Sequence, residues 1–291
     1  MNILVIPDYF GILSVGGFSN ILLFDCFVVL CLTAHFNCMT TDPGAVPSNA
    51  RPLPGLLERT DTIPLCKHTG CFKPPRSHYD RVTQRCVVKM DHYCPWVNNT
   101  VGIQNHKFFI LFCFYIHAVC AYGIILIALR YNDCLTSKKA FVCSSSGVTG
   151  EIMILGVAMI AMLFGLFTFM MLCAQMYSVL TNRAYIDRLK KTRINSTSLT
   201  SNLWEVFGDG GANNRSDSSS RTVSVKCKRR FLTFLDWMNP FSTPQWGEDS
   251  SRVFGYWVPN STVANEIELG DGNKNRSENS SKMHEEARLL G

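Results

Sequence analysis

Hydrophobic residues gather into three long runs along this chain, and polar residues fill the stretches between and after them. The first run extends from about Leu13 to Phe36 and is interrupted by charge only at Asp25; the second, Phe108 to Leu129, carries His117 as its ionisable group; the third, Ile152 to Leu180, has no charged residue. Each is long enough to cross a hydrocarbon core, which takes about 20 mostly apolar residues. Three such runs in 291 residues leave too little polar chain to cover them as buried core helices. The pattern predicts an α-helical multi-pass membrane protein. It divides into the N-terminus with a first span (1–38), a polar loop (39–107), a second span (108–130), a short loop (131–150), a third span (151–180) and a polar tail (181–291).

Basic residues set the sides. The first loop holds Arg51, Arg59, Lys67, Lys73, Arg76, Arg81, Arg85, Lys89 and Lys107, and the tail opens with Arg183, Arg188, Lys190, Lys191 and Arg193. Both are expected in the cytosol, with the N-terminus, which has no Lys or Arg before Gly11, on the far side. Asp25 is costly in lipid and is expected to face the helix bundle. Cys134 and Cys143, in the short non-cytosolic loop, are candidates for a disulfide.

The tail is mixed. Residues 195–225 and 260–291 are rich in Ser, Asn and Gly with little apolar periodicity and are expected to be flexible. Between them, Phe231, Phe234, Trp237, Phe241, Trp246 and Trp257 stand beside Lys226, Lys228, Arg229 and Arg230, a mixture suited to the membrane interface. The net charge of +6 is spread over membrane-flanking segments and gives no nucleic-acid signal.

The candidate chemistry lies in the loop before the second span, at Asp91-His92-Tyr93-Cys94 followed by Pro95-Trp96-Val97-Asn98-Asn99. Cysteine attacks as its thiolate and needs a base or a positive field. His92 supplies the base, and Asp91 orients its imidazole and stabilises its charge.

The run from Cys66 to Phe109, with Lys73-Pro74-Pro75-Arg76-Ser77-His78, Cys86, Lys89-Met90, the Asp-His-Tyr-Cys stretch, Val101-Gly102 and Asn105, strongly resembles the Asp-His-His-Cys (DHHC) cysteine-rich domain of protein S-acyltransferases, or palmitoyltransferases. Thr41-Asp42-Pro43-Gly44 looks like the family's Asp-Pro-Gly element. Asn239-Pro240-Phe241 looks like its short C-terminal motif. Thr181 to Asp187 stands where the family shows Thr-Thr-x-Glu and matches only at the acidic end.

The resemblance implies a small cytosolic DHHC-type domain (about 64–109) between the spans, and a flexible tail. It implies palmitoyl-CoA as acyl donor, attack by Cys94 on its thioester with His92 as base and Asp91 as orienter, and transfer to cytosolic cysteines of membrane-associated proteins. Long-chain acyl-CoA, those substrates and the bilayer are the expected partners, and the Golgi or endoplasmic reticulum membrane is the expected place. The simplest members have four spans; the run from Gly17 resembles their second, so a truncated form is expected. Arg76, Arg81 and Lys89 are candidates for the CoA phosphates, although a solvated, positive-inside loop accounts for them more simply.

Family members typically bind two structural zinc ions, each through three cysteines and a histidine. This chain keeps those ligands only at Cys66 and Cys86; Thr69, Tyr79, Asp80, Thr83, Tyr93 and Thr100 occupy other ligand positions. Cys71 and His78 lie close to lost ligands and with Cys66 and Cys86 complete a three-cysteine, one-histidine set, so at most one zinc is expected. The rival to an enzyme is a catalytically inactive DHHC-like membrane adaptor.

Overall fold

Apolar length decides the three principal helices of the computed structural model, which describes residues 5, 14–53, 63–136, 147–191, 198–208, 233–246 and 250–259. They are α1 (Val15–Thr40), α2 (His106–Thr136) and α3 (Gly147–Thr181), each long and apolar enough to cross a membrane. At 1.5 Å per residue their 26, 31 and 35 residues measure about 39 to 52 Å. Ser14 caps α1, its Oγ accepting the Gly17 N–H at 2.9 Å. The helix stops where Thr41 turns extended just ahead of Asp42-Pro43.

The middle position belongs to α2, which packs against both α1 and α3. Towards its neighbours α1 buries the small residues Gly17, Ala34 and Cys38, and it turns Leu22, Val29 and Phe36 outward, as α3 does Leu163 and Phe167. Asp25 falls on that exposed side rather than facing the bundle as expected, because the close approach of α1 runs along the other stripe. His117 is satisfied within the bundle, its Nδ1 hydrogen-bonded to Gly165 O at 3.0 Å. At the opposite end, Glu151 binds the Arg130 guanidinium at 2.6 Å and the Tyr131 hydroxyl at 2.6 Å, joining α2 to α3. Cys134 is disulfide-bonded, and Cys143 lies outside the described residues.

Between α1 and α2 the chain forms two short antiparallel hairpins. One pairs β2 (Ser77–Asp80) with β3 (Arg85–Val88); the other pairs β4 (His92–Cys94) with β5 (Asn99–Val101). A further strand here, β1 (Arg51–Pro52), pairs with β6 (Tyr256–Trp257) near the end of the described chain. The Asp42-Pro43-Gly44 element forms a tight turn, Asp42 Oδ1 accepting the N–H groups of Gly44 and Ala45 at 2.8 and 2.7 Å. Gly44 is at φ +98°, and a Cβ there would stand 2.6 Å from Ile103 Cγ2, so this turn and the Val101–Ile103 segment require glycine to pack together.

Past α3 come α4 (Tyr185–Leu189), α5 (Leu199–Phe207), α6 (233–238) and α7 (Ser250–Phe254). The helix α5 corrects the expectation of flexibility across 195–225: Leu203, Val206 and Phe207 fall at helical spacing and pack with Ile110 and Val179. The rest of that segment, and 260–291, lie outside the described residues. The Asn239-Pro240-Phe241 motif docks on the helix ends: Pro240 O accepts Asn37 Nδ2 at 2.7 Å, and the fully buried Lys107 ammonium donates to Asp236 O, Ser242 O and Ser242 Oγ at 2.9–3.0 Å.

The β4–β5 hairpin is fixed to α1 through that helix's C-terminal carbonyls, which have no partner within the helix. Asn99 Nδ2 donates to Cys38 O, Met39 O and Thr41 O at 3.0–3.1 Å, and Asn105 Nδ2 to Cys38 O at 3.3 Å and Thr100 O at 2.8 Å. Asn99→Ala removes the amide that donates to three carbonyls at the end of α1, of which Cys38 O alone keeps a donor in Asn105, and is expected to destabilise the protein by about 1–3 kcal/mol. Thermal unfolding of the detergent-solubilised chain, followed by tryptophan fluorescence, checks this; an unmoved midpoint would show that the cap contributes nothing.

Candidate active site

Residues two apart on a strand share a face, so β4 places His92 and Cys94 side by side and sends Tyr93 to the other side. Tyr93 accordingly donates its hydroxyl to Asn98 Oδ1 at 2.9 Å, away from the thiol. Cys94 ends the strand at the Pro95–Asn98 turn, which Asn98 closes with φ 46° and an N–H bond to Pro95 O at 3.3 Å. That turn aims the N–H groups of Trp96 and Val97 at the sulfur. Cys94 is 4% exposed and lies in a cluster with Cys38, Val97, Val101, Phe108, Phe109 and Cys113.

Asp91 is buried beside it and has three donors from three parts of the chain. Oδ2 accepts His92 Nδ1 at 2.9 Å and Gln175 Nε2 at 2.9 Å, and Oδ1 accepts the Tyr185 N–H at 2.6 Å. Burial alone would favour the protonated acid, but these hydrogen bonds hold the carboxyl well below the usual carboxylate range. Asp91 is therefore ionised, and it fixes the His92 tautomer that leaves Nε2 for the sulfur. The imidazole stands edge-on to the Phe109 ring, centroids 5.2 Å apart.

Burial works against the imidazolium, yet the hydrogen bonds to Asp91 and Cys94 outweigh it and push His92 up to about 9. Burial likewise works against the thiolate, and here the His92 hydrogen bond, the Val97 and Trp96 N–H groups and the imidazolium charge bring Cys94 below the ordinary thiol range. The two shifts are two sides of one contact, in which each group favours the charged form of the other.

The sequence reading missed Gln175, His106 and the Tyr185 N–H. Gln175 donates to Asp91 with one end and accepts from His106 Nε2 with the other, at 2.6 Å, which fixes its amide orientation. Its signal was present: it is the one carboxamide in the apolar run from Ile152 to Leu180, and such a group needs a partner.

Arg76 and Lys89 are not solvated loop residues. Arg76 Nε donates to Asp187 Oδ2 at 3.0 Å, and its terminal nitrogens reach Asn182 Oδ1 at 3.0 Å and Asn182 O at 2.8 Å. Lys89 forms an ion pair with Glu205 on α5. Asp187, the acidic end of the altered motif, is buried and held ionised by His78 and Arg76 against the cost of burial. These pairs join the hairpins to the chain after α3.

The same carboxylate disperses the expected zinc set of Cys66, Cys71, His78 and Cys86. His78 donates from Nε2 to Asp187 Oδ1 at 3.2 Å and accepts from Lys190 at Nδ1, 3.1 Å, so both ring nitrogens are committed. Cys66 and Cys86 are hydrogen-bonded to each other, Cys86 also donates to Ser77 Oγ at 3.4 Å, and Cys71 donates to Thr69 O at 3.4 Å. Among the described residues no three His, Cys, Asp or Glu side chains form a metal-holding group. The four-ligand set is not assembled, and the residues present do not fit the ion.

Within the helices lies an apolar cavity of about 380 Å³ lined by Phe24, Ile116, Cys120, Gly123, Val157 and Phe164. Phe164 meets Trp96 of the Pro95–Asn98 turn edge to face, centroids 6.4 Å apart, so the cavity wall reaches the turn that follows Cys94.

Known proteins are similar to this chain in sequence. Residues 59–192 match the family model described as DHHC palmitoyltransferase. The mouse (Mus musculus) protein palmitoyltransferase ZDHHC7 is 35% identical over 178 residues, 60% of this chain and 58% of the relative, so the chain spans somewhat under three-fifths of that protein. The rat (Rattus norvegicus) palmitoyltransferase ZDHHC3 is 31% identical over 235 residues, 79% of this chain and 71% of the relative. An Arabidopsis thaliana protein named probable protein S-acyltransferase 15 is 32% identical over 198 residues, 65% of this chain and 73% of the relative. On these matches the chain belongs to the DHHC palmitoyltransferase family.

Proposed function

We propose that the chain is a membrane protein S-acyltransferase that moves a palmitoyl group from palmitoyl-CoA through Cys94 to cysteines of membrane-associated proteins. The observation that carries this reading is the placement of His92 and Cys94 on one face of β4, with His92 Nδ1 hydrogen-bonded to the buried Asp91 carboxylate at 2.9 Å. In the first step the Cys94 thiolate attacks the thioester carbonyl. A new carbon–sulfur bond forms, the bond to CoA sulfur breaks, and the departing CoA thiolate takes the proton from His92. In the second, neutral His92 removes the proton of an incoming substrate thiol, whose sulfur attacks the acyl-Cys94 thioester and restores the starting ion pair. Asp91 keeps the imidazole in one tautomer throughout.

The apolar cavity between the helices is the place for the acyl chain, where each buried methylene contributes about 0.8 kcal/mol. Its link to Trp96 through Phe164 supports delivery of the thioester end to Cys94. The three apolar helices serve as spans, with the hairpins and tail in the cytosol as the basic residues direct. The Golgi or endoplasmic reticulum membrane is the proposed location. No step of this mechanism passes through a metal.

Self-acylation tests the reading directly. Chain in membranes supplied with a clickable palmitoyl analogue should take up label that hydroxylamine removes, and Cys94→Ser should take up none; an unlabelled, well-inserted wild type would favour the inactive adaptor. Asp91→Asn should slow acyl-enzyme formation about 10²-fold or more without preventing insertion, as single-turnover kinetics would show.

The pH dependence follows from the same pair. The imidazolium is fully present below the ordinary histidine value of 6.5 and is lost as pH rises through about 9. Acyl-enzyme formation should therefore fall on the alkaline side near pH 9, and in Asp91→Asn that limb should move towards neutrality because a main support of the raised value is gone. A single-turnover pH profile with its limb unmoved by the substitution would contradict the assigned role of Asp91.

A further inference from the structure

Six positions that carry zinc ligands in the resembling family hold other residues here, and three of them meet. Asp80 ends β2, Thr83 lies in the β2–β3 turn and Thr100 is the middle residue of β5. Thr83 Oγ1–H donates to Asp80 Oδ2 at 2.7 Å, Thr100 Oγ1–H donates to the same oxygen, and the two hydroxyl oxygens are 3.3 Å apart. The backbone completes the shell, Val82 N–H reaching Oδ1 at 3.1 Å and Thr83 N–H reaching Oδ2 at 3.2 Å. Asp80 and Thr100 are buried.

Chemically this is a finished structure. A buried carboxylate with four donors has its charge dispersed and its lone pairs occupied, and neutral hydroxyls bind zinc poorly beside thiolate or imidazole. The node also has the right reach: it ties the β2–β3 hairpin to the β4–β5 hairpin that carries Cys94. Other altered positions have found partners in the same way, Tyr79 stacking on His68 with centroids 4.3 Å apart and 17° between planes, and Tyr93 bonding to Asn98. His78, with both nitrogens taken by Asp187 and Lys190, removes the histidine a residual site would need.

We propose that the cysteine-rich domain of this chain holds its shape without zinc, the Asp80–Thr83–Thr100 node cross-linking the two hairpins by hydrogen bonds where the family uses a metal. This does not depend on the acyltransferase reading, and it is tested without an activity assay. Full-length chain, expressed with added zinc and purified in detergent, is assayed for zinc by elemental analysis and for thermal unfolding with and without a strong chelator. Substoichiometric zinc and a midpoint that the chelator leaves in place are expected. In Thr100→Val, which keeps the shape but removes one donor, the midpoint should fall by roughly 2–8 °C. Stoichiometric zinc, a midpoint that drops on chelation, or a Thr100→Val midpoint equal to wild type would each overturn the proposal.

Discussion

The Asp91 carboxylate is the constraint on which the rest of this structure depends. It is a buried charge, and a buried charge is tolerated only when its lone pairs are satisfied. The three groups that satisfy it are the His92 ring, the Gln175 amide from α3 and the Tyr185 N–H at the start of α4. One carboxylate thereby sets the histidine tautomer and fixes where the hairpin sits against the last apolar helix. Misplacement of α3 would leave Asp91 short of donors, so helix packing and site electrostatics are not separable here.

The other joints follow the same rule, that each polar group at the boundary of an apolar helix must find a partner. The carbonyls at the end of α1 are met by Asn99 and Asn105, which are themselves part of the β4–β5 hairpin and its exit. The Lys107 ammonium at the start of α2 is met by carbonyls of the Asn239-Pro240-Phe241 region. Arg76 and Asp187 pair across the junction between hairpin and tail. The first two joints use backbone carbonyls that no apolar contact could satisfy and the third uses a pair of side-chain charges, and together they hold a domain of short strands in register with long helices.

Local pattern was enough to read part of this. Apolar run length showed the three helices, and the Asp91-His92-Tyr93-Cys94 run pointed to a base and an orienting carboxylate beside a thiol. What stayed hidden depends on residues far apart in sequence. Gln175 reaches Asp91 across 84 residues, and nothing near either position announces the pair, although an amide in an apolar run was a warning. His78 looked available for zinc because its rival partner, Asp187, lies 109 residues on. Arg76 and Lys89 looked like loop charges for the same reason. The α5 helix was hidden in a Ser- and Asn-rich stretch because its apolar face is only a few residues long and takes its stability from α2 and α3.

The position of Cys94 explains why so much polar structure surrounds one sulfur. Cys94 lies among apolar side chains, with Val97, Phe108 and Phe109 in its cluster. Those neighbours desolvate the sulfur and on their own would keep it protonated and unreactive. The neighbouring buried thiols Cys38 and Cys113 bring no positive charge to help. Compensation therefore has to come from fixed donors within reach, and it does: two N–H groups of the turn and the His92 imidazole, whose charged form is favoured by its hydrogen bonds to Asp91 and Cys94. Asp91 is in turn held ionised by His92, with Gln175 and the Tyr185 N–H adding to it. The reactivity of the thiol is thus set three residues deep, and the outermost layer is supplied by the last apolar helix and the segment that follows it.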